Sequence, residues 1–139
     1  MPGEGGEHMF RVIVAGSRDF QNYLICDGYI THMLSEKLSR GEEIVILSGH
    51  CRGADALGEH YARLHGLRLE IFEADFARYG PAAGPRRNRR MAGSADALIA
   101  FWDGKSAGTR NMIETARRCD LHIRVLRYKE QGARYLEGM

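Results

Sequence analysis

Glycines, hydroxyls and arginines gather at three places where an apolar run stops abruptly. Gly16-Ser17-Arg18-Asp19 follows FRVIVA, Ser48 to Asp55 (SGHCRGAD) follows IVIL, and Asp103 to Thr109 (DGKSAGT) follows ALIAFW. A guanidinium such as Arg18 or Arg52 can grip a phosphate or carboxylate through a two-pronged fork. Ser17, Ser48, Ser106 and Thr109 offer hydroxyl donors. Gly16, Gly49, Gly53, Gly104 and Gly108 let the backbone come close to a ligand, and a helix starting after each loop offers unpaired N–H groups to an anion. The three loops together predict a nucleotide or phosphate site.

Each loop also has a plainer reading. Asp19 reads as the cap of the helix that follows it. Asp55, in a first helical turn, reads as a partner of the helix dipole or as a ligand contact. His50 and Cys51 are adjacent, but with no third partner at ligand spacing they make neither a metal site nor a nucleophile pair. Gly104-Lys105-Ser106 resembles the end of a Walker A loop, yet Ile99 stands where its first glycine belongs, so an NTPase P-loop is excluded. Gly84 to Met91 (GPRRNRRM) is the densest run of charge. Its four arginines have no aromatics between them, which argues against stacking of a single strand. If Arg87 and Asn88 begin a short helix there, they face the crevice and meet an acidic ligand.

These loops need strands behind them and helices after them. Strands are predicted at Phe10–Ala15, Glu43–Leu47, Leu67–Phe72, Ala97–Phe101 and His122–Leu126. Helices are predicted over about 21–39 (Ile30, Met33, Leu34 and Leu38 inward), Ala54–His65 (Ala54, Leu57, Tyr61 and Leu64 inward), about Arg87–Gly93, and Thr109–Cys119 (Met112, Ile113 and Ala116 inward). Residues 74–85, with Gly80, Pro81, Gly84 and Pro85, read as a loop. The alternation predicts an α/β domain: three layers, Rossmann-like, with a mostly parallel sheet of about five strands. In such a sheet the loops at the carboxyl ends of strands converge on one crevice. Trp102, at the end of the fourth strand, is placed either in the core or against a base.

The chain has 139 residues, a length for one domain, with a net charge of +2 that by itself implies neither nucleic acid nor membrane. Residues 1–8 read as a flexible Gly-rich acidic tail without a signal peptide, 9–128 as the domain, and 129–139 as a polar tail. Three cysteines, Cys26, Cys51 and Cys119, fit neither a disulfide framework nor a zinc pattern, so a reducing cytoplasm is the expected location.

GSRDF, SGxxRGAD, GPxRNRRM and GxSxGTxNM, in this order over residues 10 to 127, resemble the YspA-type (cpYpsA-related) branch of the SLOG superfamily. That superfamily also includes the lysine-decarboxylase-like cytokinin phosphoribohydrolases and the DNA-processing protein DprA. The resemblance implies a Rossmann-like fold that binds nucleotides or nucleotide-derived ligands such as ADP-ribose or NAD relatives, often as a homodimer, with no further cofactor required. It implies ligand contacts at Arg87, Asn88 and Asn111 as well as in the three loops. The phosphoribohydrolases use an arginine matching Arg87 and a glutamate just after the Gly-Thr of the last loop. Asn111 and Met112 stand there instead, and the next carboxylate is Glu114.

Cleavage of an N-glycosidic bond needs a carboxyl group to stabilise oxocarbenium charge or activate water. Asp19, Asp55, Asp103 and Glu114 are candidates that spacing does not separate. Three readings follow in order: binding of a nucleotide-type ligand, for sensing or processing; N-glycosidic hydrolysis of a nucleoside monophosphate; and DprA-like binding of single-stranded DNA, favoured by the arginine cluster.

Overall fold

A computed structural model describes residues 9–129 and, as backbone, 135–136. Five strands lie parallel: β1 (Phe10–Gly16), β2 (Ile44–Ser48), β3 (Arg68–Ile71), β4 (Ala97–Trp102) and β5 (His122–Tyr128). A two-residue strand, β6 (Tyr135–Leu136), pairs antiparallel with β5, and the order across the sheet is β3-β2-β1-β4-β5-β6. Tyr135 and Leu136, within the stretch expected as a polar tail, extend the sheet beyond residue 128. The expected tail at 1–8 lies outside the described residues, as does the rest of 130–139.

Strands β1, β2 and β4 are buried on both faces, and their alternate residues feed two cores, while β3 at the edge stays partly exposed. Val12, Val14, Ile44, Ile46, Ile99 and Phe101 pack beneath α1 (Tyr23–Met33) and α3 (Ala54–Leu64), with Cys26, Ile30 and Tyr61 facing them. Ile13, Val45, Leu47, Leu98 and Ala100 meet Met91, Met112, Ile113 and Ala116 from α5 (Ala83–Gly93) and α6 (Ala107–Arg118) on the other side. Order reverses between β1 and β4, so the crevice of such a sheet opens above that pair.

Four local expectations are corrected. The helix expected over 21–39 breaks at Leu34 into α1 and a short α2 (Ser35–Ser39). Asn22, not Asp19, caps α1, accepting from Ile25 N–H at 3.0 Å. Asp19 instead accepts a hydrogen bond from the Tyr128 hydroxyl. Leu64, expected inside, is 62% exposed at the end of α3. The region 74–85 is helical for most of its length: α4 (Phe76–Tyr79), a 3-10 turn at Gly80–Ala82, then α5. Pro85 lies in the first turn of α5, where a helix needs no N–H from it. No helix among the described residues is long and apolar enough to cross a membrane.

Candidate functional site

Above β1 and β4 lies a cavity of about 310 Å³. Gly16, Ser17 and Arg18 from the first loop, Asp55 from α3, Arg87 and Asn88 from α5, and Ser106, Gly108 and Thr109 from the third loop and α6 all line it. Sequence reasoning missed its apolar wall of Ala15, Met91, Ala107 and Met112, and also Cys51. Met91 follows Arg87 by four residues and Met112 follows Thr109 by three, so helical spacing held the signal for both.

The first and third loops are tied to each other. Asp103 N–H donates to the Ser17 hydroxyl oxygen at 3.1 Å, and the Ser106 hydroxyl lies 3.0 Å from it. The carboxylate of Asp103 accepts from the N–H groups of Lys105 and Ser106, both at 2.8 Å, and from the Ser106 hydroxyl. Burial alone would raise its pKa, but these donors outweigh burial and hold it below the usual value. Ser106 precedes α6 without capping it through its side chain, and no acidic residue occupies the first turn. The opening N–H groups of α6 thus lack a side-chain cap where Ala107 and Gly108 line the cavity.

The second loop is held from two sides. Arg87, only 9% exposed, donates from Nη1 to the Gly49 carbonyl at 2.7 Å and from Nε to Asn88 Oδ1 at 3.0 Å. Asn88 Nδ2 donates to Asn111 Oδ1 at 2.9 Å, joining α5 to α6. Asp55, 5% exposed, accepts from Cys51 N–H at 3.2 Å. Burial pushes the Asp55 carboxyl up to about 6, against the pull of the Cys51 N–H and the Arg87 charge. Gly53 has φ +80, and a β-carbon there would strike the Ser17 carbonyl, so only glycine lets α3 start against the first loop.

Other candidates sit apart from the cavity. Ser48 is fully buried and gives its hydroxyl to Glu59 Oε2 at 2.7 Å, away from the cavity lining. His50, in the left-handed region at φ 63, turns its Nδ1 to the same oxygen at 2.8 Å. That hydrogen bond raises the His50 pKa. Arg52 is exposed and Gly49, Gly53, Gly104 and Asn111 support the walls without lining them. Of the candidate carboxylates only Asp55 reaches the cavity, whereas Asp19 faces Tyr128, Asp103 ties the third loop and Glu114 is exposed. Trp102 packs at the edge of the core and donates its indole N–H to the Ser106 carbonyl at 3.2 Å. The guanidinium carbons of Arg110 and Arg127 lie 5.0 and 5.2 Å from its ring centroid.

The arginine run is not free of aromatics in space. Arg86 lies 3.9 Å and Arg78 5.3 Å from the Tyr79 ring centroid, and Arg90 lies 5.4 Å from that of Phe72. Phe76 is 56% exposed on the neighbouring α4. Phe72, just after β3, and Tyr79 of α4 thus meet in space a run that has no ring of its own.

Comparison with known proteins agrees with this architecture. DprA, the DNA processing protein A of Streptococcus pneumoniae, superposes with a TM-score of 0.64 at 18% identity, over 86% of this chain and 50% of that one. At that identity the likeness establishes the fold, and the chain spans about half of DprA. The Gene 61 protein of Mycobacterium phage D29 is 30% identical over 122 residues, 83% of this chain and 94% of that protein. The model of the YspA, cpYpsA-related SLOG family matches residues 10–79, from the start of β1 to the end of α4. The chain belongs to the YspA, cpYpsA-related SLOG family.

Proposed function

We propose that the cavity binds a nucleotide or nucleotide-derived ligand, such as an ADP-ribose or NAD relative, for sensing or processing. The observation that carries this is the meeting of Arg18, Arg87 and the uncapped start of α6 in one cavity at the switch point of the sheet. Its volume suits a small molecule more than a polymer. The phosphate lies against the first turn of α6 and the guanidinium of Arg87, and no metal or redox cofactor is required. The protein acts as a homodimer in the cytoplasm, a state that light scattering tests.

Thermal shift and calorimetry with AMP, ADP-ribose and NAD test the site. A ligand at about a hundred times its Kd stabilises the native state by roughly 2.7 kcal/mol, which is easily read as a rise in Tm. Arg87→Ala removes that rise. If no compound raises Tm at millimolar concentration, the reading fails.

Asp55 favours a second reading, N-glycosidic hydrolysis of a nucleoside monophosphate, since it is the candidate carboxylate within the cavity beside Arg87. Free base released from AMP supports it, and a bound but unaltered nucleotide excludes it. The surface pairs of Arg86 with Tyr79 and Arg90 with Phe72 favour a third, binding of single-stranded DNA. Affinity for an oligonucleotide that falls steeply with salt is its signature.

A further inference from the structure

Asp55 is the one carboxylate among the residues that line the cavity, and the other charged groups there are the guanidiniums of Arg18 and Arg87. The cavity is rich in donors: these two arginines, the Thr109 hydroxyl and the opening N–H groups of α6. The Arg87 charge favours the ionised form of Asp55 without forming a contact ion pair with it. Arg87 spends Nη1 on the Gly49 carbonyl and Nε on Asn88, and no ion pair joins it to Asp55 among the described residues. A ligand that is anionic throughout would set one of its oxygens against this carboxylate. A ligand that complements the whole cavity is anionic at one end and brings hydrogen-bond donors to the other.

We infer that Asp55 is a specificity-determining residue that accepts hydrogen bonds from the ribose hydroxyls of the ligand, so that the site selects ribonucleotides over deoxy and dideoxy forms. The inference rests on the nucleotide reading given above. A buried acceptor confronted with a ligand that lacks its donor is left unpaired, which is how polar sites discriminate most strongly. Asp55 is suited to this because α3 fixes its backbone and the N–H groups of Cys51 and Gly16 hold its carboxylate, whose two oxygens still have lone pairs for a ligand hydroxyl.

The test is calorimetry at pH 7.5 with AMP, 2′-deoxy-AMP, 3′-deoxy-AMP and 2′,3′-dideoxy-AMP, with inorganic phosphate as the all-anionic control. The wild-type protein is expected to bind AMP at least tenfold more tightly than the dideoxy form, and phosphate weakly. Asp55→Ala brings the AMP to dideoxy-AMP ratio near one, while Asp55→Asn, which keeps the shape, lowers it to an intermediate value. Equal wild-type affinity for AMP and dideoxy-AMP overturns the inference and leaves the nucleotide reading standing. A ratio unchanged in the Ala variant overturns it as well. Failure to bind any of the nucleotides overturns both.

Discussion

The Nη1 of Arg87 donates to the carbonyl of Gly49 across 2.7 Å, so a guanidinium from α5 closes the loop that follows β2. Two segments 38 residues apart in the chain are thereby fixed to each other, and this side of the cavity is formed before any ligand arrives. The contact also explains the residue type at 49. A β-carbon there would lie 2.8 Å from Arg87 Nη1 and 3.0 Å from Asp55 Oδ2.

Gly49→Ala is therefore expected to displace Arg87 or the loop. Forcing a methyl group into a packed site costs about 1–3 kcal/mol. Denaturant unfolding should show that loss, and calorimetry should show weakened ligand binding. Unchanged stability together with unchanged affinity would mean that the loop has more freedom than its contacts indicate.

Asp55 carries a pH signature of opposite sign to that of most carboxylates. Its folded-state value of about 6 lies above the ordinary 3.8, because burial disfavours the charge more than Arg87 and the Cys51 N–H favour it, and Glu59 adds to the repulsion. Stability held by the protonated form is complete below about 3.8 and is lost as pH rises through 6. Asp55→Asn removes the cost of ionisation. The variant is expected to be more stable than the wild type at pH 7.5 by roughly 1–3 kcal/mol, with the gap closing near pH 4. A variant destabilised equally at both values would show that the carboxylate works mainly as a clamp.

His50 offers a local check on the other side of the same loop. Its hydrogen bond to Glu59 favours the imidazolium, so its pKa lies above 6.5. Any stability from this pair is present below 6.5 and is lost as pH rises through the folded value. A proton NMR titration should show His50 titrating above a free histidine, and Glu59→Gln should bring it down. No change in Glu59→Gln would detach the imidazole from that carboxylate in solution.

The alternation of strands and helices is legible because β1, β2 and β4 each carry a run buried on both faces, ended by a glycine or a polar turn. That pattern alone places Gly16, Ser17, Arg18, Ser106 and Thr109 at one end of a sheet. What stayed hidden depended on distant partners. The sequence around Asp19 and Asn22 contains two good caps three residues apart, and Tyr128, far along the chain, is what removes Asp19 from contention. Ser48 looked free because Glu59 is a helix away from it in sequence. Gly84 and Pro85 looked like breakers because the start of a helix, where proline is tolerated, could not be told from a loop. The arginine run looked bare because Phe72 and Tyr79 join it only in space.

Trp102 provides a direct optical report on the start of α6. It is the sole tryptophan of the chain, and its indole N–H is bonded to the carbonyl of Ser106, a residue of the cavity wall. Arg110 and Arg127 place positive charge about 5 Å from its ring, a distance at which cation–π attraction operates. An anion seated on the first turn of α6 adds negative charge close to this cluster and changes the field at the indole. Emission on excitation of Trp102 is therefore expected to shift or change in intensity as AMP or ADP-ribose saturates the site, with a midpoint equal to the calorimetric Kd. Arg110→Ala should alter the emission of the free protein while leaving a ligand-dependent change. If calorimetry shows saturation while the emission stays constant, the ligand does not reach the start of α6, and the phosphate must be assigned to Arg18 and Arg87 alone.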